Sequence, residues 1–277
     1  MERTARARPG RGERLRAYGH LAWAQVRSQT QYRGSFALDL AGSVAFGVLD
    51  IVTVVVLFRV SPHMAGFAFP EVFLMTAIAS LAFAVADLCI GNVERLRFYV
   101  RTGLFDAVLV RPLDALWQLA AMDVAPRRVG RAVTNTAILA VAAAHAHLPA
   151  TPLTLGLLVA APLAGAAIFG SVFVATASVA FWWIESGELG NALTYGGHDF
   201  AAYPMTVYSG LFRRLFAYGV GFAFVAYYPA LALLDRADPL GAPAALGYAS
   251  PLVAAAAAAA AGLVWRTGVR HYRSTGS

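Results

Sequence analysis

Long runs of apolar residues alternate with short polar stretches along this chain. A helix that spans a membrane needs about 20 mostly apolar residues, and six segments meet that requirement. The first is too long to be the hydrophobic stretch of a cleaved signal peptide, so we expect it to be retained. The pattern predicts an all-α, polytopic membrane protein whose transmembrane domain, 36–265, has six transmembrane helices at residues 36–59, 68–90, 129–148, 153–183, 211–234 and 246–265.

Four of the stretches outside the predicted spans have expected positions of their own. Residues 1–35 mix arginines with apolar residues and predict a cytoplasmic tail that contains an amphipathic helix lying in the membrane interface. Residues 91–128 form a long cytoplasmic connection, and residues 266–277 form a second cytoplasmic tail. Residues 185–210 are too polar to span, and we expect them to lie in the cytoplasmic interface. A re-entrant segment is the alternative for this last stretch.

The basic residues, all of them arginine, fall largely on one side of this topology. With a cytoplasmic N-terminus, 20 of the 22 arginines are cytoplasmic and only Arg59 and Arg236 lie outside. Cytoplasmic loops carry such an excess of basic residues, so we expect both termini in the cytoplasm. A chain rich in alanine and arginine and without lysine is typical of a high-GC bacterial gene, which predicts the bacterial inner (cytoplasmic) membrane. The net charge of +7 then fits contact with anionic membrane lipids and not with nucleic acid.

The composition excludes several kinds of chemistry. Without lysine the chain has no phosphate-binding G-x-x-x-x-G-K-[ST] loop and no Schiff-base lysine, so it is not an ATPase by itself. Its one cysteine, Cys89, allows neither an internal disulfide nor a cysteine zinc cluster. No hydrolase signature occurs in the sequence. We therefore expect no catalytic residue, no metal site and no cofactor bound by this chain.

The connection after the second predicted span carries the most informative pattern. Two short helical patterns flank Gly103, each with an apolar stripe, and the first also carries charged residues on its other faces. Arg111-Pro112 ends the second pattern, because proline disfavours the helical conformation of the residue before it. A short amphipathic helix of this kind can lie on the membrane face and present charged groups to a cytoplasmic partner. The alternative is a solvated basic loop without a partner.

The order of residues in this connection resembles a known family. The run R-T-G-L-F-D at 101–106, followed by L-V-R-P-L at 109–113, is similar to the cytoplasmic loop of type-2 ABC exporter permeases, the ABC-2 family. An aromatic and acidic run at 181–185 and an aromatic run at 224–230 support the resemblance. The chain looks most like a bacterial subgroup of about this length, whose operons often pair two related permeases with one ATPase.

The resemblance implies a permease subunit of an ATP-driven exporter. Separate ABC ATPase subunits would bind ATP and Mg, and a second permease, identical or paralogous, would complete the translocation pathway. The connection would contain the coupling helix that docks on the ATPase, while drugs, antibiotics, peptides and lipids all remain candidate substrates. The residues expected at the ATPase contact are Glu94, Arg95, Arg97, Tyr99, Arg101, Gly103, Phe105, Arg111 and Pro112.

Asp50 lies near the middle of the first predicted span. A carboxylate there costs about 2.5–3.5 kcal/mol on insertion scales, so its side chain must face protein or a watery cavity. Asp39 lies eleven residues earlier, about three helical turns, and shares its face. Asp50 and Asp39 are therefore candidates for the substrate pathway, with a buried hydrogen bond to a neighbouring span as the alternative.

Two other classes of function stay open from the sequence. A polytopic membrane enzyme would use Glu185, Glu188 and His198, which fall together in the polar segment after the fourth predicted span. A stand-alone secondary transporter would use Asp50 for coupling to a proton or sodium gradient. Loss of activity in Glu185→Ala or His198→Ala would favour the enzyme, and flux without ATP would favour the secondary transporter.

Overall fold

A computed structural model describes residues 33–122 and 126–273 of the chain. The interfacial helix predicted before residue 33 and the end of the C-terminal tail lie outside the described residues. Within the described ranges the regular structure is helical, and the β-type pairing there is one isolated bridge between Met64 and Phe67. The predicted all-α class is confirmed.

Eleven α-helices, joined in several places by short 3-10 turns, make up the described part of the chain. In chain order they are α1 (Arg33–Val60), α2 (Phe69–Ile90), α3 (Leu96–Arg101), α4 (Leu104–Leu109), α5 (Ala115–Ala121), α6 (Pro126–His145), α7 (Pro152–Ser178), α8 (Gly187–Ala202), α9 (Gly210–Arg213), α10 (Tyr227–Leu233) and α11 (Ser250–His271). A 3-10 helix, Gly91–Arg95, joins α2 to α3, and a π-helix, Arg214–Gly219, continues α9.

Helices of 20 or more residues, α1, α2, α6, α7 and α11, occupy five of the six predicted spans. Three helical stretches are long and apolar enough to cross a membrane: Phe69–Arg101, Pro152–Phe181 and Ser250–His271. A fourth joins them if the bent pair Gly210–Gly219 and Phe222–Leu233 counts as one span. The chain thus has the helices of a membrane protein, while the count of six spans stays a prediction.

The long helices form a bundle with two distinguishable ends. At one end α4 packs beneath the end of α7, since the ring of Phe105 lies 5.3 Å from that of Phe181; we call this the short-helix end. At the opposite end Arg236 pairs with Glu71 at the start of α2 and donates to the carbonyl of Gly66 at 2.7 Å; we call this the Arg236 end. Any segment in contact with either set of residues can be placed along the bundle.

The centre of the bundle is α7, which packs against both α2 and α11. Gly165 of α7 lies so close to α2 that a Cβ on it would come within 2.8 Å of the Ala82 methyl. Phe83 of α2 packs edge-on against Phe169 and Phe173 of α7, at 5.4 and 5.5 Å between ring centroids. In lipid the hydrophobic effect does not drive helices together, so their association depends on close packing. Small residues such as Gly165 and Ala82 allow that close packing.

The structure differs from the prediction over residues 185–210. Helix α8 does not lie across the bundle end; it packs lengthwise against α2 and α7. It starts at the short-helix end, where Gly187 lies against the Arg97 guanidinium, and at its last residue the Ala202 carbonyl accepts from the Thr76 hydroxyl at 3.0 Å. Beyond it, the Thr206 hydroxyl donates to a carbonyl in the loop after α1 at 3.2 Å, at the Arg236 end. The polar composition of α8 concealed this path.

The predicted fifth span at 211–234 is also different in the structure. It consists of two helical stretches bent by 60°, with Gly221 at φ +93° between them. Both ends of the pair lie at the Arg236 end: Arg213 donates to the carbonyl of Tyr208 at 3.1 Å, and Arg236 follows α10. Arg213 and Arg214 therefore lie away from the short-helix end, contrary to the sequence-based placement. A glycine in the left-handed conformation lets the chain bend sharply without steric cost, which explains the bend.

Candidate functional site

The candidate coupling site is the group of short helices that follows α2. Gly103 adopts the left-handed conformation, φ +70°, between α3 and α4, so the two helical patterns predicted around it are two separate helices. Their apolar stripes point into the bundle, where Leu96, Val100 and Val108 are buried. The charged residues of α3 consequently face outwards, as an amphipathic element on the end of a bundle requires.

Phe105 fixes α4 to the bundle. Its side chain is 0% exposed, and its ring lies 5.0 Å from that of Tyr272 and 6.4 Å from that of Trp265. A fully buried ring cannot touch a partner, so the predicted ATPase contact at Phe105 is corrected to an internal anchor. Burial raises the pKa of the Tyr272 phenol, and the neighbouring Asp106 carboxylate raises that pKa further.

The remaining predicted contact residues form an open surface, which we call the basic face. Glu94, Tyr99 and Gly103 are half-buried at its edge. The exposed predicted residues are Arg95, Arg97, Arg101, Arg111 and Pro112. Two further apolar side chains belong to this face and were not predicted: Phe98, 54% exposed, and Leu104. Phe98 does not lie on the apolar stripe of its helix, and this position was the sequence signal that its side chain is exposed.

The basic face is joined to the turn between α7 and α8. Arg101 forms an exposed ion pair with Glu185 at 3.6 Å. The Arg97 guanidinium covers the backbone of Gly187, where a Cβ would overlap it. A cavity of about 510 Å³ separates the two elements, lined by polar groups that include Glu94 and Asn191. The start of α8 and the basic face thus form one contiguous structural unit.

A buried charge cluster, the Asp87 cluster, ties the same unit to α6. The Asp87 carboxylate at the end of α2 lies 3.0 Å from Arg128 Nε and 3.4 Å from Arg131 Nη1, both on α6. The Arg128 side chain is only 9% exposed. Gly91 makes room for the cluster, because a Cβ there would overlap the Asp87 carboxylate. Buried charges of this kind are held in place because breaking the pairing leaves a charge in an apolar environment.

Hydrogen bonds extend this anchoring to α5. The Asn92 amide donates to the carbonyl of Leu119 at 2.6 Å. The Gln118 amide donates to the carbonyls of Val108 and Leu113, at 3.1 and 2.9 Å. The turn between α4 and α5 is therefore closed by one side chain of α5, Gln118, and the basic face rests on this hydrogen-bonded support.

The other sequence-predicted candidates do not come together. Asp39 and Asp50 belong to α1, and their side chains are outside what the structure describes. Glu188 lies in the first turn of α8 and Glu185 just before the helix, while His198 is ten residues beyond Glu188, about 15 Å along the helix. An enzyme site built from these three residues is thus not favoured by the geometry, and the described residues contain no cluster of metal ligands.

His198 instead contacts residues that the sequence did not connect to it. Its Nε2 lies 3.3 Å from the Ser80 hydroxyl and its Nδ1 lies 3.4 Å from the Asp199 carboxylate. This order of contacts resembles a serine–histidine–aspartate triad. Ser80, however, is 4% exposed inside the bundle, so a substrate carbonyl cannot reach its hydroxyl, and the contacts serve a different purpose.

The described residues form a bundle of helices, several of them long and apolar enough to cross a membrane, and this defines an integral membrane protein. The family model described as ABC-2 family transporter protein matches residues 44–276. The chain therefore belongs to the ABC-2 family, and the resemblance found in the sequence is confirmed. Searches of curated proteins and of solved structures find no match to this chain.

Proposed function

We propose that this chain is the permease subunit of an ATP-driven exporter. In this proposal it forms a translocation pathway with a second permease, identical or paralogous, and separate ABC ATPase subunits bind ATP and Mg and dock on the basic face. The observation that carries the proposal is an exposed set of arginines and aromatic residues mounted on a buried anchor, Phe105. A merely solvated loop has no need of such support.

The anchoring suggests how force would reach the membrane helices. A partner that shifts the basic face also moves α2 through the Asp87 cluster and α8 through the contacts of Arg97 and Arg101. Nucleotide binding can bias such a bistable element only through contacts that differ between its two states. The basic face is where these differential contacts would be made.

A revised topology belongs to this proposal. The short-helix end faces the cytoplasm, both termini lie on that side, and the six crossings are α1, α2, α6, α7, α8 and α11. The bent pair of Gly210–Gly219 and Phe222–Leu233 then enters and leaves the membrane at the outer face as a re-entrant element. Moving Arg213 and Arg214 outside leaves 18 of the 22 arginines in the cytoplasm, so the positive-inside asymmetry is kept.

The proposal is tested by purifying the full chain in mild detergent from its native host and identifying the chains that copurify. We expect an ATPase that carries the phosphate-binding loop. The double variant Phe98→Glu with Arg111→Glu reverses the character of the basic face without touching its anchor, and it should lose the ATPase. The matched control is Arg59→Glu, an exposed charge reversal after which the ATPase should be retained.

Two outcomes would contradict the proposal. One is an ATPase that copurifies equally well with the wild-type chain and with the basic-face double variant. The other is transport in proteoliposomes of the purified chain that runs without ATP and follows a proton or sodium gradient, which would favour the secondary transporter instead.

A further inference from the structure

Asp199 lies near the mid-depth of the bundle. Its neighbour His198 contacts Ser80, which is eleven residues from the start of α2 and ten from its end. At 1.5 Å per residue, Ser80 is about 15 Å from either end of α2. Helix α2 is the first part of the stretch Phe69–Arg101, which is long and apolar enough to cross a membrane. The hydrocarbon layer is about 30 Å thick, so the Asp199 carboxylate lies close to its centre.

The Asp199 side chain points away from the helices of its own chain. It is 81% exposed, whereas Gly197 and Phe200 on the opposite side of α8 are buried. Tyr195, one helical turn earlier on the same side, is also exposed. A charged side chain in contact with lipid at this depth costs several kcal/mol. This face of α8 therefore borders a hydrated space or another protein chain.

The position of Asp199 within α8 adds to the negative potential. Helix α8 ends at Ala202, whose carbonyl meets Thr76 seven residues inside α2. The C-terminal end of the helix thus lies within the membrane layer, and the last turn carries a carboxylate and no basic residue. The carboxylate adds to the negative end of the helix dipole, an unfavourable arrangement unless a cation is nearby.

A row of buried polar contacts holds this part of α8 in place. His198 bridges Asp199 to the Ser80 hydroxyl, and its ring lies 4.9 Å from that of Phe83. The Asn135 amide of α6 donates to the Ser80 carbonyl at 3.4 Å, so three helices share the row. The only ion-pair partner of Asp199 within the described residues is His198.

We propose that Asp199 and Tyr195 form a binding site for an organic cation inside the translocation pathway. The two side chains are four residues apart on one helix face, the spacing at which side chains are neighbours. A carboxylate beside an aromatic ring suits a quaternary or protonated amine, because the ring face also attracts a cation. The proposal rests on the exporter function above, of which it specifies the substrate class: lipophilic monovalent cations.

The test compares two ions of the same size and shape and opposite charge, tetraphenylphosphonium and tetraphenylborate. Binding of each is measured by equilibrium dialysis to the full chain, purified in mild detergent with every chain that copurifies and without ATP. We expect the wild type to bind the phosphonium and to discriminate against the borate. Asp199→Asn should weaken phosphonium binding by about ten-fold or more, the effect of losing about 1.4 kcal/mol.

Two further variants separate a binding role from a folding role. Asp199→Glu keeps the charge and should retain most of the phosphonium affinity. Asp235→Asn removes an exposed carboxylate at the Arg236 end, and asparagine tolerates the positive φ of 48° found there; its affinity should equal that of the wild type. All variants should elute as the wild type does in size-exclusion chromatography.

Three results would overturn the cation site: no phosphonium binding by the wild type, equal binding of both ions, or unchanged binding in Asp199→Asn. None of these depends on ATP, so the exporter function is judged separately by ATPase copurification and ATP-driven uptake. Asp199-dependent binding without an associated ATPase would keep the site and refute the exporter. A copurifying ATPase without Asp199-dependent binding would support the exporter and refute the cation site.

Discussion

The basic face and the Asp199 face of α8 are both exposed surfaces of one chain, but they are built differently. The basic face rests on a buried ring, the Asp87 cluster and hydrogen bonds to and from α5, so its shape is complete within the chain. The Asp199 face has packing on one side only and leaves a carboxylate uncovered at membrane depth. In the proposed exporter the first surface would transmit a movement from the ATPase, and the second would be completed by something outside the chain.

Removing the buried Phe105 ring, which anchors the basic face, should have the largest effect on stability. Phe105→Ala deletes a fully buried ring, and we expect a loss of about 3–5 kcal/mol of stability, together with loss of ATPase binding. Thermal unfolding in detergent measures the first and copurification the second. Leu104→Ala, at the exposed neighbouring position, is the control and should leave the melting temperature nearly unchanged. An equal drop in melting temperature in both variants would show that the basic face lacks an internal anchor.

Breaking the Asp87 cluster should have the second-largest effect on stability. Asp87→Asn removes the carboxylate that pairs with the buried Arg128 guanidinium, and we expect a loss of about 3 kcal/mol, the low end for a broken buried pair. Exposed Asp114 forms an N-cap, with its carboxylate accepting from Leu116 N at 3.0 Å. Asp114→Asn keeps a capping side chain and should cost little. Similar melting temperatures for the two variants would argue against a structural role for the cluster.

A pair of adjacent glycines tests whether α8 has one packed and one open side. A Cβ on Gly197 would overlap the ring of Phe222, whereas one on Gly196 would meet nothing within 4 Å. Gly197→Ala should therefore destabilise the chain by about 1–3 kcal/mol through overpacking. Gly196→Ala should be neutral or slightly stabilising, since alanine favours a helix. The reverse order of melting temperatures would mean that the other side of α8 is packed.

The smallest effect on stability is expected at the junction of the two regions. Arg101 and Glu185 are both well exposed, so Arg101→Glu should cost only about 0–1 kcal/mol. We nevertheless expect it to uncouple ATP hydrolysis from transport, because the pair joins the basic face to the start of α8. The double variant Arg101→Glu with Glu185→Arg restores opposite charges and should recover part of the coupling. No recovery would show that Arg101 acts on the partner alone.

Sequence patterns predicted the short helices well because their signals are local. The change of helix at Gly103 follows from apolar spacing and from the conformational freedom of glycine. The buried position of Phe105 depends on rings more than 70 residues away, Phe181 and Tyr272 among them. The local pattern separates Phe98 from the apolar stripe of its helix, but it does not show that the Phe105 ring is fully buried.

The path of α8 was missed for a different reason. Hydropathy averages the two sides of a helix, and α8 combines a packed side of small residues with an open side that carries Tyr195 and Asp199. The mean hydropathy of α8 therefore resembles that of a segment that lies in the membrane interface. The bend at Gly221 was missed because the residues on both sides of it are apolar. A single glycine hardly changes the mean hydropathy of such a segment.

The uncovered carboxylate of Asp199 has a consequence for how the protein is made. A chain that enters the membrane alone must hold this charge against lipid or drag water in beside it, at a cost of about 2.5–3.5 kcal/mol on insertion scales. In the proposed exporter, association with the second permease would remove that cost. Unassembled copies should therefore be the short-lived form in the cell, so that biogenesis itself favours complete complexes over orphan chains.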